Sequence, residues 1–342
     1  MNTLDDSASS VHRCRVIVAL DDNHNGDPDV ARRLIDAARE AGADGVKFRR
    51  STVAMSAVRQ ILDRPSPHHN SLGPTYRKAL ERVDLPVEVL ARLSEYAEGL
   101  EVFLAPYDLG ACRGLNGIPF AAWKVDSPLA THLPLLEVLG SSGRAVVAAV
   151  GGCTRREIEE MLNLLAPARE VTLVHALQMN PFTAGILDVA YLVALRRFGR
   201  PVGYADNSSD ISLSLTAVLL GATIVEKPLT LDRATPGLGH ATSLAPHELE
   251  ELVRKVRALE EILVSETLRS PLPAEMDELE WSRVSIVASR SIPRGTVITR
   301  DMLTLKAPFG GLSPGFLQFL EGRRALYDIR EDEFLTFGMV EL

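Results

Sequence analysis

Residues 200–244 read RPVGYADNSSDISLSLTAVLLGATIVEKPLTLDRATPGLGHATSL. Residues 201–204 are a short apolar strand. Residues 205–210 form a polar loop, in which Asp210 is placed to cap the next helix. Residues 211–220 carry an apolar face at helical spacing. Residues 222–225 read as a second buried strand, with Glu226 and Lys227 set where that strand ends. Charges at the carboxyl end of a buried parallel strand are costly unless a site uses them.

The same strand–helix rhythm extends in both directions. Apolar runs at residues 15–20, 44–48, 101–104, 121–125, 145–150 and 171–176 alternate with helical patterns. Among these patterns, residues 28–40, 87–97, 134–139, 155–165 and 246–264 are helical. Thr154 and Glu157 stand at capping-box spacing before the fourth. Eight such units within residues 14–264 predict a (β/α)8 barrel. An open doubly wound sheet fits less well, because no Gly-rich phosphate fingerprint follows the first strand. Residues 49–86 are a long excursion of the kind that serves as a functional loop or lid. Residues 1–13 read as a flexible tail, 265–281 as a polar linker, and 282–342 as a compact unit of short β-type runs.

The chain has 342 residues, 46% hydrophobic and 24% charged, with a formal net charge of −8. That balance argues against bulk electrostatic binding to nucleic acid or membrane. No apolar run approaches the ~20 residues of a membrane helix, and residues 1–13 lack the apolar core of a signal peptide. Cys14, Cys112 and Cys153 form no disulfide framework and no metal-type spacing. A cytoplasmic location is expected.

Several motifs resemble the sialic acid synthase family. GYADNS, IVEKPLTLD and GLGH stand where that family reads GYSDHT, IEKHFTLD and GPDH. Asn23-His24-Asn25-Gly26-Asp27 matches its NHNGD. Lys47-Phe48, Lys124, Ser127, His175, Asp206, Glu226, Lys227 and His240 also match. The stretch SRSIPRGTVITRDMLTLKAP is similar to the small antifreeze-like (SAF) domain that closes such enzymes. The resemblance spans residues 14–342. It implies a barrel plus SAF domain, a domain-exchanged homodimer, and condensation of phosphoenolpyruvate with an N-acetylated amino sugar assisted by a divalent metal.

Departures concentrate on the implied site. Ala19 replaces a glutamate, and Leu104-Ala105 and Ala149-Val150 replace Ser-Thr pairs. Leu129 and Gly239 replace acidic residues, Met179 an asparagine, and Ala307 an arginine. Asn207 and Pro228 stand where the metal histidines belong, so no metal and no other cofactor is expected. Arg49 and Arg50 are gained.

The expected site therefore has Lys124, Lys227, Glu226 and His24 in catalytic roles. Lys47, Arg49, Asn23, Ser127, His175, Asp206, Asn207 and His240 are the expected substrate contacts. Lys47, Arg49, Lys124 and Lys227 together predict a cationic floor for an anionic small molecule. The plainer alternatives are rim lysines reaching for solvent, histidines held by structural hydrogen bonds, and an internal Glu226–Lys227 pair. Three functions follow. One is a diverged synthase or lyase working at a 2-oxo acid or sugar without the two-histidine metal. The second is a conventional nonulosonate synthase with compensating residues. The third is a binding or assembly homologue without catalysis.

Overall fold

The computed structural model describes residues 13–65, 72–177, 188–237, 239–263 and 270–341. The expectations for residues 1–12 and Met179 fall outside these, as does the His68-His69 pair of the long excursion, read from sequence as a solvated loop pair.

The chain divides into two compact units, Met1–Val264 and Ser265–Leu342. In the first, eight parallel strands close into a barrel in chain order. They are β1 (Arg15–Ala19), β2 (Gly45–Arg50), β3 (Glu101–Pro106), β4 (Ala122–Val125), β5 (Ala145–Ala149), β6 (Glu170–Ala176), β7 (Val202–Ala205) and β8 (Ile224–Pro228). Closure comes from β1 against β8, with Arg15 opposite Ile224 and Ala19 opposite Pro228.

Alternation along each strand separates two cores. Ile17, Phe103, Ala122, Val147, Val174 and Ile224 fill the barrel. Val16, Val18, Leu104, Trp123, Val125 and Val225 face outward into the layer beneath the helices. A fully buried Leu, Ile or Val stabilises by roughly 1.5–3 kcal/mol, so the outer layer is the main store of stability.

Local chemistry sets the helix starts. The Asp27 carboxylate accepts from the Asp29 and Val30 N–H groups ahead of Pro28–Glu40, with proline at the first helical position. Gly26 before it has φ +76°, and a Cβ there would sit 1.8 Å from the Arg82 carbonyl oxygen. The Thr154–Glu157 capping box forms as expected at the start of Arg155–Leu164. The next helix, Ser212–Leu219, starts one residue later than expected, and its N-cap is Ile211 and not Asp210, which sits one residue earlier and accepts from the Ser212 N–H at 2.9 Å.

One strand boundary carries consequences. β8 continues through Glu226 and Lys227 to Pro228 instead of stopping at Val225, because β1 pairs with it throughout. Proline is tolerated there as the terminal residue, where its missing N–H is not needed.

In the second unit, β9 (Ser285–Ala288) and β10 (Leu303–Lys306) pair antiparallel over a small core that includes Ile286, Ile292, Ile298, Leu320, Ile329 and Leu335. The stretch expected to be a plain linker carries a helix, Pro273–Ser282. Pro273 opens it, and the Glu275 carboxylate accepts from the Leu272 N–H at 2.6 Å. Among the described residues no helix is long and apolar enough to cross a membrane.

Candidate active site at the carboxyl end of the barrel

Parity decides which strand-end side chains reach the barrel mouth. Gly45 lies against Ile17 inside the barrel, so Lys47 and Arg49 follow it inward along β2. Ala122 is inside, which sends Lys124 and then Asp126 inward. Ile224 is inside, which does the same for Glu226. These groups meet. Lys47 Nζ lies 2.8 Å from Glu226 Oε1, 3.0 Å from Asp21 Oδ2 and 3.4 Å from Asp126 Oδ1. Lys124 Nζ lies 2.7 Å from Asp126 Oδ1 and 3.5 Å from Glu226 Oε2. The Tyr107 hydroxyl donates to Asp126 Oδ2 at 2.8 Å. The Arg49 guanidinium stacks 4.9 Å from the centre of the Tyr107 ring and pairs with Asp22 at 3.0 Å.

Charge states follow from these contacts. Burial pulls the Lys47 amine down, but Asp126, Asp21 and Glu226 outweigh it, and the amine is held well above its ordinary value. Asp126 is pushed up by burial and pulled further down by Lys124 and Lys47, ending below the usual carboxylate range. Asp21 behaves oppositely. Burial, helped by repulsion from Asp126, Glu226 and Asp22, raises its carboxyl to about 6 against the pull of Lys47.

The cationic floor expected from sequence is therefore corrected. Lys47, Arg49 and Lys124 do face inward, but four carboxylates, Asp21, Asp22, Asp126 and Glu226, offset them. Asp21, Asp22, Tyr107 and Asp126 were missed. Asp21 and Asp126 were findable, since each lies two residues beyond an inward-facing strand-end position.

Lys227 is corrected outright. It is the outward neighbour of Glu226, fully buried, 3.0 Å from Asp206 Oδ2, and donates to the carbonyls of Ser208 and Asp210 at 2.6 and 2.7 Å. Burial lowers its amine, with Asp206 opposing. Asp206 is equally spent, accepting from the Ser208 N–H, the Ser208 hydroxyl and the Ser214 hydroxyl. The pair locks the loop after β7 behind the strand instead of touching a ligand in the barrel.

Of the other expected site residues, Asn23, His24, His240 and Ser127 are engaged in hydrogen bonds within the chain. Asn23 Nδ2 donates to the Leu229 carbonyl and the Ser243 hydroxyl, both at 2.7 Å. His24 Nδ1 accepts from the Gly26 N–H at 3.0 Å, and burial lowers its pKa to about 4, so the ring is neutral near pH 7. His240 Nδ1 lies 2.7 Å from the Thr230 hydroxyl oxygen. The Asn23 bonds tie the loop after β1 to the loop after β8, while the His24 and His240 contacts each lie within one loop. His175 points outward, stacked on Tyr191 and Tyr204, rather than into the mouth. Ser127 Oγ accepts from the Gly151 N–H at 3.0 Å. Asn207 is exposed, next to the fully spent Asp206.

The divalent metal implied by the resemblance would lack its two histidine ligands here. Pro228 has no side-chain donor and Asn207 offers one neutral oxygen. Among the described residues no group of three or more His, Cys, Asp or Glu is placed to hold a metal ion.

Comparisons with known proteins complete the picture. The NeuB family model matches residues 34–267 and the SAF domain model matches residues 283–341. Human N-acetylneuraminate-9-phosphate synthase is 31% identical over 96% of this chain and 93% of its own. The N,N'-diacetyllegionaminic acid synthase of Campylobacter jejuni is 29% identical over 92% and 96%. The crystal structure of a spore coat polysaccharide biosynthesis protein E from Chromobacterium violaceum superposes with a TM-score of 0.81 at 22% identity, over 96% of this chain and all of that one. With a barrel of this topology and a matching second domain, the chain belongs to the NeuB family of sialic acid and related nonulosonate synthases.

Proposed function

We propose that this protein is an enzyme that makes or breaks a carbon–carbon bond at a 2-oxo acid or sugar-type substrate, in the mouth around Lys47 and Lys124, without the two-histidine metal site. The observation that carries the reading is the pair of inward ammonium groups sharing Glu226 and Asp126 at the carboxyl end of the strands. Chemistry sits at this end of such barrels. Protonated amines there can donate to the carboxylate and carbonyl oxygens of a 2-oxo acid and stabilise the enolate charge that develops on its carbonyl oxygen. Glu226 is the proton acceptor in reach of that position. Lys47, held protonated by its carboxylates, is a poor Schiff-base nucleophile, so the reading uses it as a cation. The relatives, named as N-acetylneuraminate-9-phosphate synthase and N,N'-diacetyllegionaminic acid synthase, support a substrate of this class. A homodimer belongs to the same reading, and light scattering on the purified chain tests it.

A second reading, a binding homologue without catalysis, is favoured by one observation. Each of these ammonium groups already has a carboxylate partner.

The test is turnover. The purified chain is incubated with phosphoenolpyruvate or pyruvate and N-acetylmannosamine or related aldoses, with chelator or with Mn2+, and 2-oxo acid products are sought by mass. Product in the presence of chelator supports the proposal. Product only with Mn2+ returns the protein to conventional metal-assisted synthesis. Silence in every arm leaves the non-catalytic reading.

A further inference from the structure

We propose that Asp21 sets the charge class of ligand this mouth accepts, an anionic ligand entering only with uptake of one proton by the Asp21 carboxyl. The inference rests on the functional reading above in taking the mouth to be the ligand site.

The charge balance motivates it. Three cations, Lys47, Arg49 and Lys124, face four carboxylates among the described residues. An entering carboxylate adds a further negative charge to a partly dry cluster that already has an excess of one. Like charges a few ångströms apart there repel strongly enough that one of them takes up a proton. The hydrogen bonding shows which. Asp126 is held by Lys124, Lys47 and the Tyr107 hydroxyl. Glu226 bridges both lysines. Asp22 is paired with Arg49. Among the described residues Asp21 has one ion-pair partner, Oδ2 to Lys47, and its buried Oδ1 has no hydrogen-bond partner. Its side chain is 32% exposed, so it is also the most open to the entering ligand.

Backbone geometry agrees. Asp21 sits at φ +27°, a conformation side chains rarely adopt and one that Asp and Asn tolerate best. The chain accepts strain to place a carboxylate on the inward face two residues after Ala19. His24, from the same loop, is neutral and engaged with Gly26, so it does not compete for the proton. Protonated, Asp21 releases its claim on Lys47 Nζ, and the free hydrogen-bonding direction of that amine becomes available to the ligand carboxylate. The proton comes from solvent.

The experiment is calorimetric titration of the full chain with pyruvate, whose carboxylate stays ionised between pH 5.5 and 7.5. Starting from a carboxyl near 6, complete linkage weakens the apparent Kd by about 25-fold between those pH values. Titration at pH 7.0 in two buffers of different ionisation heat reads the proton directly, and close to one proton per pyruvate is expected. In Asp21→Asn, which suits the same backbone, affinity becomes independent of pH and at pH 7.5 is at least that of the unaltered protein at pH 5.5. Pyruvate binding without proton uptake, or an unchanged pH profile in Asp21→Asn, overturns the proposal. No pyruvate binding by either protein at either pH overturns the anion-binding reading of the mouth, and this inference with it.

Discussion

Asp206→Ala tests the reassignment of Lys227 from ligand contact to buried structure. Both side chains of the Lys227–Asp206 pair are fully buried at 3.0 Å separation. The substitution leaves an ammonium group behind the barrel wall with neutral partners, the Ser208 and Asp210 carbonyls and the Ser208 hydroxyl, and no carboxylate at hydrogen-bond distance among the described residues. It also removes the acceptor of the Ser214 hydroxyl and the shorter of two acceptors of the Ser208 hydroxyl. Breaking a buried pair by removing one partner costs about 3–5 kcal/mol, mostly the penalty of the uncompensated charge. With a urea dependence of about 3 kcal/mol per molar for a unit this size, the midpoint falls by roughly 1–1.7 M. Tryptophan fluorescence is the assay. Trp123 is buried in the barrel and Trp281 is 77% exposed, so the emission shift on unfolding reports mainly the barrel. Lys227→Met costs less, since Asp206 keeps three hydrogen-bond donors, and the double variant measures the coupling. A midpoint shift below roughly 0.3 M for Asp206→Ala, under about 1 kcal/mol, would refute the buried-pair assignment.

Two glycines with the same backbone sign separate strain from space. Gly26→Ala meets the Arg82 carbonyl at 1.8 Å, whereas Gly99→Ala, at φ +88°, meets nothing within 4 Å. Thermal unfolding is expected to show about 1 kcal/mol of loss for Gly99→Ala and at least twice that for Gly26→Ala. His24 has a folded pKa of about 4 against an ordinary 6.5, so the unfolded chain binds more protons between those values. Stability from this residue is therefore lost as pH falls, by about 2 kcal/mol at pH 5. Urea midpoints at pH 7 and pH 5 should diverge less in His24→Asn than in the unaltered protein, and equal divergence counts against a buried neutral ring. Asp21 works in the opposite sense between 3.8 and 6, its raised carboxyl favouring the folded state as pH falls, which is why the comparison uses the His24 variant. Titration with MnCl2 should give no saturable one-to-one heat, and a stoichiometric site would contradict the misfit argued from Asn207 and Pro228.

Alternation of apolar residues made the barrel legible, because each strand must bury two faces against different cores. The register of closure was not legible. With β8 ended at Val225, Glu226 and Lys227 look like neighbours at a rim. With β8 paired to β1 as far as Pro228, the two fall on opposite faces, one in the mouth and one behind the wall. Residue types at strand ends were thus visible and their directions were not. Extending the alternation by two residues would have found Asp21 and Asp126. The Asp126–Tyr107–Arg49–Asp22 chain joins residues far apart in sequence, and no local pattern encodes it. Asn23, His24 and His240 were recognisable as polar residues near strand ends, but their partners lie in loops whose packing only the closed barrel defines.

The most direct test of the central claim, that the inward lysines and not the outward one meet the ligand, compares pyruvate binding in Lys47→Gln and Lys227→Met at pH 5.5. Losing a charge-assisted hydrogen bond of about 1.5–3 kcal/mol weakens binding by roughly 10- to 100-fold. That loss is expected for Lys47→Gln, while folded Lys227→Met, with its lower urea midpoint, binds within about twofold of the unaltered protein. The reverse order, with Lys227 essential and Lys47 dispensable, would contradict the account.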